Sequence, residues 1–240
     1  MTVLGAASAA LEPLLRTAGE RDRPWLRKVF HSRSAYAAYS ALDTELFVRG
    51  QYTAGAVLLA SVARREGRTT MSLILGSFTA ALDATRRVLL IDADVDHGRL
   101  GEILGLAPTA LGLSELFAGA ATTNDCIHPT ALPNLWVTPL AGAGNSSARL
   151  SPVQFQQFIS EARERFDLIV IDSPAGGENR TVLSLASIVK NVFLVIKYAG
   201  PTREQASFLL ENLRRVDAEI IGCILNQREL VIPRFLYGAF

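Results

Sequence analysis

Residues 58–78 read LLASVARREGRTTMSLILGSF: an apolar run, a polar bend with one glycine, and a second apolar stretch of helix length. Hydrophobicity that is continuous over AVLLASV (56–62), rather than alternating, marks a strand buried on both faces. TTMSLILGSFTAALDA (69–84) supplies the helix, so the bend joins the carboxyl end of a buried strand to a helix N-terminus. Free backbone N–H groups and the positive end of the helix dipole make such a junction an anion-binding turn. Gly67 stands where a backbone would approach phosphate closely, and Thr69 offers a hydroxyl to magnesium. Two arginines depart from that design. Arg68 takes the lysine position of a phosphate loop and keeps the charge, but its broad planar guanidinium cannot enter the space of an ammonium. Arg65 places a side chain where glycine would ease the bend. The expectation is a loop that keeps a phosphate-binding shape and loses part of its chemistry.

Outward from this stretch, the strand signature recurs in RVLLIDAD (87–94), NLWVTPLAG (134–142), DLIVIDSP (167–174), NVFLVIKYA (191–199) and EIIGCILN (219–226). Helical stretches fall at SPVQFQQFISEARERF (151–166) and TREQASFLLENLRRVD (202–217). Ser151 and Thr202 read as N-caps, with Gln154 and Gln205 placed to complete capping boxes. The alternation implies an α/β fold, a doubly wound, mainly parallel sheet flanked by helices, with ligands beyond the carboxyl ends of the strands. Acidic residues cluster there: Asp92, Asp94 and Asp96 in IDADVD, and Asp172 in IDSP. Carboxylates ending neighbouring buried strands are costly unless hydrated, paired or bound to a cation. Asp92, Asp94, Asp172 and Thr69 together would form an oxygen-rich magnesium shell. The alternative is that some of these aspartates cap the helices that follow, which requires no metal.

Composition bounds the rest. With 240 residues, 49% of them hydrophobic, the chain can close one sizeable core. The 24 Lys and Arg nearly cancel the 23 Asp and Glu, so no global field draws it to nucleic acid or anionic lipid, and no nucleic-acid partner is expected. Cys126 and Cys223 both sit in apolar surroundings and read as buried free thiols of a reducing compartment, the cytoplasm. No stretch is apolar for long enough to span a membrane, and Glu12 and Pro13 interrupt the opening MTVLGAASAALEPLL. The charged stretch 16–34 reads as a linker or docking arm, dividing the chain into an arm at 1–34 and a domain at 35–240. His31, His97 and His128 share no metal-ligand spacing, so the sequence offers no zinc site, and Trp136 reads as core. Arg64, Arg65 and Arg68 form a local basic patch able to hold an anion or an acidic segment.

LLASVARREGRTTMSLILGSF, RRVLLIDADVDHGRLGEILGL, LGLSELFAG, FDLIVIDSPAG, VFLVIKYAGPTREQASFLLENLRRV and IIGCILNQRELVIPRFLYG together resemble the cytoplasmic domain of bacterial tyrosine kinases. These domains accompany polysaccharide co-polymerases and fall in the deviant-Walker group with the septum-placement and chromosome-partitioning ATPases. The resemblance spans residues 24–240. It implies a site for ATP or ADP with magnesium. Glu66, Gly67, Arg68, Thr69 and Thr70 would cradle phosphate and Asn226 would lie near the purine. Thr69, Asp94 and Asp172 would hold the metal, and Asp92, Asp94 and Arg68 would carry the chemistry.

Three departures from the family bear on activity. The loop has arginine where the family has lysine, at Arg68, and where it has glycine, at Arg65. AAYSALDTEL (37–46) resembles the ring-assembly helix, but Ala37, Ser40 and Asp43 stand where relatives carry a Glu and two Arg. The tyrosine cluster that such kinases phosphorylate on themselves is reduced to Tyr237, the only tyrosine past Tyr198. The resemblance therefore implies a regulatory or weakly active partner of an inner-membrane polysaccharide co-polymerase, cytoplasmic and peripheral to the membrane through that partner. The alternatives are an active tyrosine kinase or ATPase of the same fold, or a positioning ATPase. The last lacks support at Ala63, where an extra lysine is wanted, and in the absence of an amphipathic membrane tail.

Overall fold

The computed structural model describes residues 2–48, 55–140, 151–176 and 180–227. Residues 141–142 of one expected strand, and Tyr237, lie outside the described residues. The first helices are α1 (Val3–Thr17), α2 (Arg23–Phe30) and α3 (Arg33–Asp43). The sheet begins with β1 (Gly55–Ser61), followed by α4 (Arg68–Leu82), β2 (Val88–Asp92) and the short α5 (Leu100–Ile103) and α6 (Leu113–Phe117). Next come β3 (His128–Pro129), β4 (Leu135–Thr138), α7 (Pro152–Arg163), β5 (Leu168–Asp172) and α8 (Thr181–Val189). The described part closes with β6 (Asn191–Lys197), α9 (Arg203–Arg215) and β7 (Glu219–Asn226).

The strands form one seven-stranded sheet in the order β3-β4-β2-β5-β1-β6-β7, parallel except for the short β3 against β4. This is the mainly parallel, doubly wound sheet expected from the sequence. β1, β2 and β5 are buried almost end to end because both faces are covered. Their side chains sort with the period of a strand. Val57, Leu59, Leu90 and Val170 pack under α1 to α4, while Leu58, Ala60, Ile91 and Ile171 pack under α7 to α9.

The N-terminal segment differs from the expected arm. Leu11, Leu14 and Leu15 of α1 and Leu26 and Phe30 of α2 are fully buried in the same cluster as the sheet. The cause lies in α4, which is buried on all sides from Met71 to Ala80 and therefore needs an outer layer over the sheet-facing one. Helices α1 and α3 supply it. Phe78 of α4 meets the rings of Phe30, Tyr36 and Tyr39 at centroid distances of 6.1, 6.0 and 5.6 Å. Pro13 sits inside α1 and removes a helical hydrogen bond, and burial of the leucines around it outweighs that cost, about 3 kcal/mol in an exposed helix. Arg99, in the loop after β2, reaches Asp22 at 2.8 Å and ties this layer to the carboxyl end of the sheet.

Smaller expectations divide. The capping box at Thr202 and Gln205 is complete, at 2.9 and 3.3 Å. Ser151 caps α7, but the Gln154 side chain donates to the Leu116 carbonyl instead of turning back. Cys126 is buried, whereas Cys223 is exposed, because β7 is an edge strand. Trp136 is half-buried against Phe166, 5.4 Å away. No helix among the described residues is long and apolar enough to cross a membrane.

Candidate functional site

At the carboxyl end of β1 the chain turns through residues 62–67 into α4. The turn is held from within by Glu66, which is 2% exposed. Its carboxylate accepts from the backbone N–H of Ala63 at 2.8 Å and of Lys197, at the end of β6, at 3.3 Å. The Glu66 carbonyl accepts from Asn226 Nδ2 at 2.9 Å, so the end of β7 grips the same turn. Gly67 has φ +99°, and a Cβ there would collide with the Asn226 amide. Glycine is thus required both for the conformation and for the approach of Asn226. Arg65 also lies in the left-handed region, with φ 62°, a conformation that costs an L-residue roughly 1–2 kcal/mol.

Beside this turn the structure brings together Arg68, Thr69, Asp94 and Asp172. Thr69 Oγ1 donates to Asp172 Oδ2 at 2.6 Å. Arg68 Nη2 lies 3.4 Å from Asp94 Oδ2. Asp92 and Asp172 face each other in the register of β2 and β5. Both oxygens of Asp92 are engaged by backbone, from Leu100 N at 2.8 Å and Asp94 N at 3.3 Å, so this aspartate organises the turn after β2. Asp94 Oδ1 likewise accepts from the N–H groups of Asp96 and His97, each at 3.2 Å. The capping alternative therefore describes part of what these two aspartates do. Burial, and then the facing charge of Asp172, pushes the Asp92 carboxyl up to about 8. Burial pushes Asp172 up to about 7, against the lowering effects of the Thr69 hydrogen bond and the Arg68 charge.

Above these groups opens a cleft of about 1560 Å³. Arg68, Thr69 and Asp94 line it, whereas Asp92 and Asp172 lie beneath its wall at 1% and 2% exposure. Thr70 follows on the first turn of α4, half-buried. Glu66 is turned inward and Asn226 is occupied with the loop backbone, so both act on the turn rather than from the cleft wall. Sequence reading missed the rest of the rim. Arg21 and Arg99 on one side, and Gln205 and Phe208 of α9 on the other, complete it. The charge of residues 16–34 was the available signal for Arg21. His97 approaches Asp94 and Asp96 with ligand atoms within 4.8 Å of one another, but its Nε2 is engaged by Arg64.

Of the six buried side-chain atoms without a hydrogen-bond partner among the described residues, two face this site: Arg68 Nη1, a donor, and Asp172 Oδ1, an acceptor, with the Ser72 hydroxyl close enough to lower the Asp172 carboxyl. Buried polar atoms are seldom left so in folded proteins. One unmet donor at a helix N-terminus suits an anion, and one unmet carboxylate oxygen beside Thr69 and Asp94 suits a cation. The donor fits a phosphate oxygen of a nucleotide, while a magnesium ion would have to share these carboxylates with Arg68 and with the Thr69 hydroxyl.

No family model matches the chain. The tyrosine-protein kinase Wzc of Salmonella typhimurium is 30% identical over 195 residues, which cover 80% of this chain and 27% of Wzc. The solved kinase domain of VpsO is 27% identical and superposes with TM-score 0.70, over 82% of this chain and 95% of that domain. The chain resembles bacterial tyrosine-kinase domains and has the fold of the deviant-Walker P-loop class. It spans 27% of the length of the Wzc relative. The likeness of this kinase-like domain extends in fold to the septum site-determining protein MinD of Pyrococcus horikoshii, solved with Mg-ADP, at 24% identity and TM-score 0.60 over 77% of this chain and 76% of MinD.

Proposed function

We propose that this domain binds a purine nucleotide through its phosphates and serves as a cytoplasmic regulatory component of surface-polysaccharide synthesis and export. In this reading it works beside a membrane-embedded co-polymerase, with little or no phosphoryl transfer of its own. The observation that carries the reading is the Arg68–Asp94 contact of 3.4 Å inside the acidic pocket. The cation of the loop faces inward onto a carboxylate, whereas transfer chemistry needs a point charge placed on the migrating phosphoryl group. The backbone part of the anion-binding turn does not depend on a lysine there. The free N–H groups at the start of α4, the glycine turn and the dipole are all retained.

In this scheme the first turn of α4 and Arg68 orient the phosphates, and Glu66 and Asn226 keep the turn in shape. Thr69, Asp94 and Asp172 are the oxygens that a magnesium ion would have to use, in competition with Arg68 on Asp94 and with the Thr69–Asp172 hydrogen bond. Asp92 stays beneath, organising the turn that presents Asp94.

Calorimetry with ATP and ADP, with a phosphotyrosine assay on the same sample, tests the reading. Nucleotide binding with no phosphotyrosine is the expected result. Strong autophosphorylation, lost on Asp92→Ala, would overturn it in favour of an active kinase. The partner is tested separately: pull-down from native membranes is expected to recover a polysaccharide-assembly protein, and its absence counts against the co-polymerase assignment.

A further inference from the structure

The two ends of the Arg68 guanidinium have different surroundings. Nη2 is anchored on Asp94 at 3.4 Å, while Nη1 is buried with no protein partner, in a side chain only 8% exposed that lines the cleft. A guanidinium is planar and permanently charged, with donors on more than one edge, so it can sit on a carboxylate and still present N–H groups to an anion. A divalent cation here would perform the same two tasks, neutralising the carboxylates and drawing in phosphate oxygens. To do so it would take oxygens of Asp94 and Asp172 at about 2.0–2.1 Å, beside a fixed positive charge already on Asp94. With Arg68 and Asp94 only 8% and 7% exposed on the cleft wall, that like-charge approach is opposed. The hydroxyl it would also need, on Thr69, already donates to Asp172 at 2.6 Å.

We propose that Arg68 is the resident counter-cation of the acidic pocket, so that the site takes a nucleoside diphosphate or triphosphate with little dependence on a divalent metal. The inference rests on the nucleotide reading above and adds how the phosphates are recognised. A lysine at this position would have to reach both groups from one nitrogen, whereas the planar guanidinium holds the carboxylate on one edge and keeps another free for phosphate. The arginine therefore changes the site's ionic requirement rather than only weakening it.

The test is calorimetry of the full chain with ADP in excess magnesium and in EDTA. For the unaltered chain the two affinities are expected to agree within about threefold. In Arg68→Lys, magnesium is expected to tighten ADP by about tenfold or more. A second titration uses manganese alone on nucleotide-free protein, followed by its paramagnetic signal; Arg68→Lys should bind it about tenfold more tightly than the unaltered chain. A tenfold magnesium requirement in the unaltered chain sinks the inference and leaves the nucleotide site standing. No ADP binding in either buffer sinks both. Metal independence that persists in Arg68→Lys also overturns the inference, because another group would then be the counter-cation.

Discussion

The turn at Gly67 and the helical layer behind α4 both adjoin one helix and are held by opposite means. The loop has few apolar contacts. It is kept by the Glu66 carboxylate, the Asn226 amide and the Arg68–Asp94 pair, over two buried aspartates whose carboxyls are pushed up to about 8 and about 7. The helical layer is kept by Leu11, Leu14, Phe30, Tyr39 and Phe78, packed ring to ring and leucine to leucine. Apolar burial is non-directional and stabilises on its own, whereas a buried polar cluster stabilises only if every group is met. The difference teaches that the site is maintained against its own electrostatics by the layer behind it.

The largest effect should come from breaking that support. Phe78→Ala removes a fully buried ring that three others pack against, and should cost about 3–5 kcal/mol in urea unfolding. A variant that loses less than about 1 kcal/mol would mean that the helical layer does not support α4.

The acidic floor gives the next effect, of a few kcal/mol, through pH. The folded-state values of about 8 for Asp92 and about 7 for Asp172 lie above the value near 3.8 of a free side chain. The folded state therefore binds these protons more tightly than the unfolded state. The associated stability is fully present below about pH 4 and is lost as pH rises through about 7 and 8, on the order of a few kcal/mol. Unfolding midpoints in EDTA should accordingly fall between pH 6 and 9, a window that brackets those two values. Asp92→Asn should flatten that fall. A midpoint independent of pH across the window would show that the carboxylates are hydrated or paired after all.

Asn226→Ala comes third. It removes one hydrogen bond to the Glu66 carbonyl at 2.9 Å and should cost about 1 kcal/mol of stability. It should also loosen ADP binding, because the turn loses its grip from β7. Unchanged ADP affinity would mean that the turn is held by Glu66 alone.

How much of this was legible in the sequence follows the same division. The strands showed as continuous apolar runs because both sheet faces are covered, and β7 matches its expected bounds residue for residue. The aspartates at strand ends showed because charge in such places has few explanations. The helical layer did not show, since Pro13 and the charges of residues 16–34 masked leucines whose partners lie on α4, far along the chain. The signal existed in α4 itself, which is apolar all round and could not be a surface helix. At the site, the identities of Arg68, Thr69, Asp94 and Asp172 were readable, but the direction of each side chain was not. Glu66 and Asn226 fell among nucleotide contacts by position along the loop and strand, yet the structure engages both with the turn's backbone. The exposure of Cys223 was hidden for a related reason: an apolar run does not say whether its strand lies at the edge of the sheet.

The smallest effect sharpens the comparison most, because it separates shape from charge within the loop. Arg65 holds φ 62°, where a side chain costs roughly 1–2 kcal/mol that glycine does not incur. Arg65→Gly relieves that strain, but it also gives the unfolded chain more freedom, worth about 0.5–1 kcal/mol against folding. The net expectation is stabilisation of about 0.5–1 kcal/mol, read from urea midpoints at constant slope. Arg65→Ala removes the same charge and keeps the strain, so it should leave stability near that of the unaltered chain. If both variants weaken ADP binding equally, the exposed guanidinium contributes long-range attraction to the phosphates, and raising the salt concentration should erase the difference. If neither weakens binding, anion recognition rests on the α4 terminus and Arg68. Equal stability of the glycine and alanine variants would show that the turn adapts around residue 65 and that the left-handed conformation carries no penalty there.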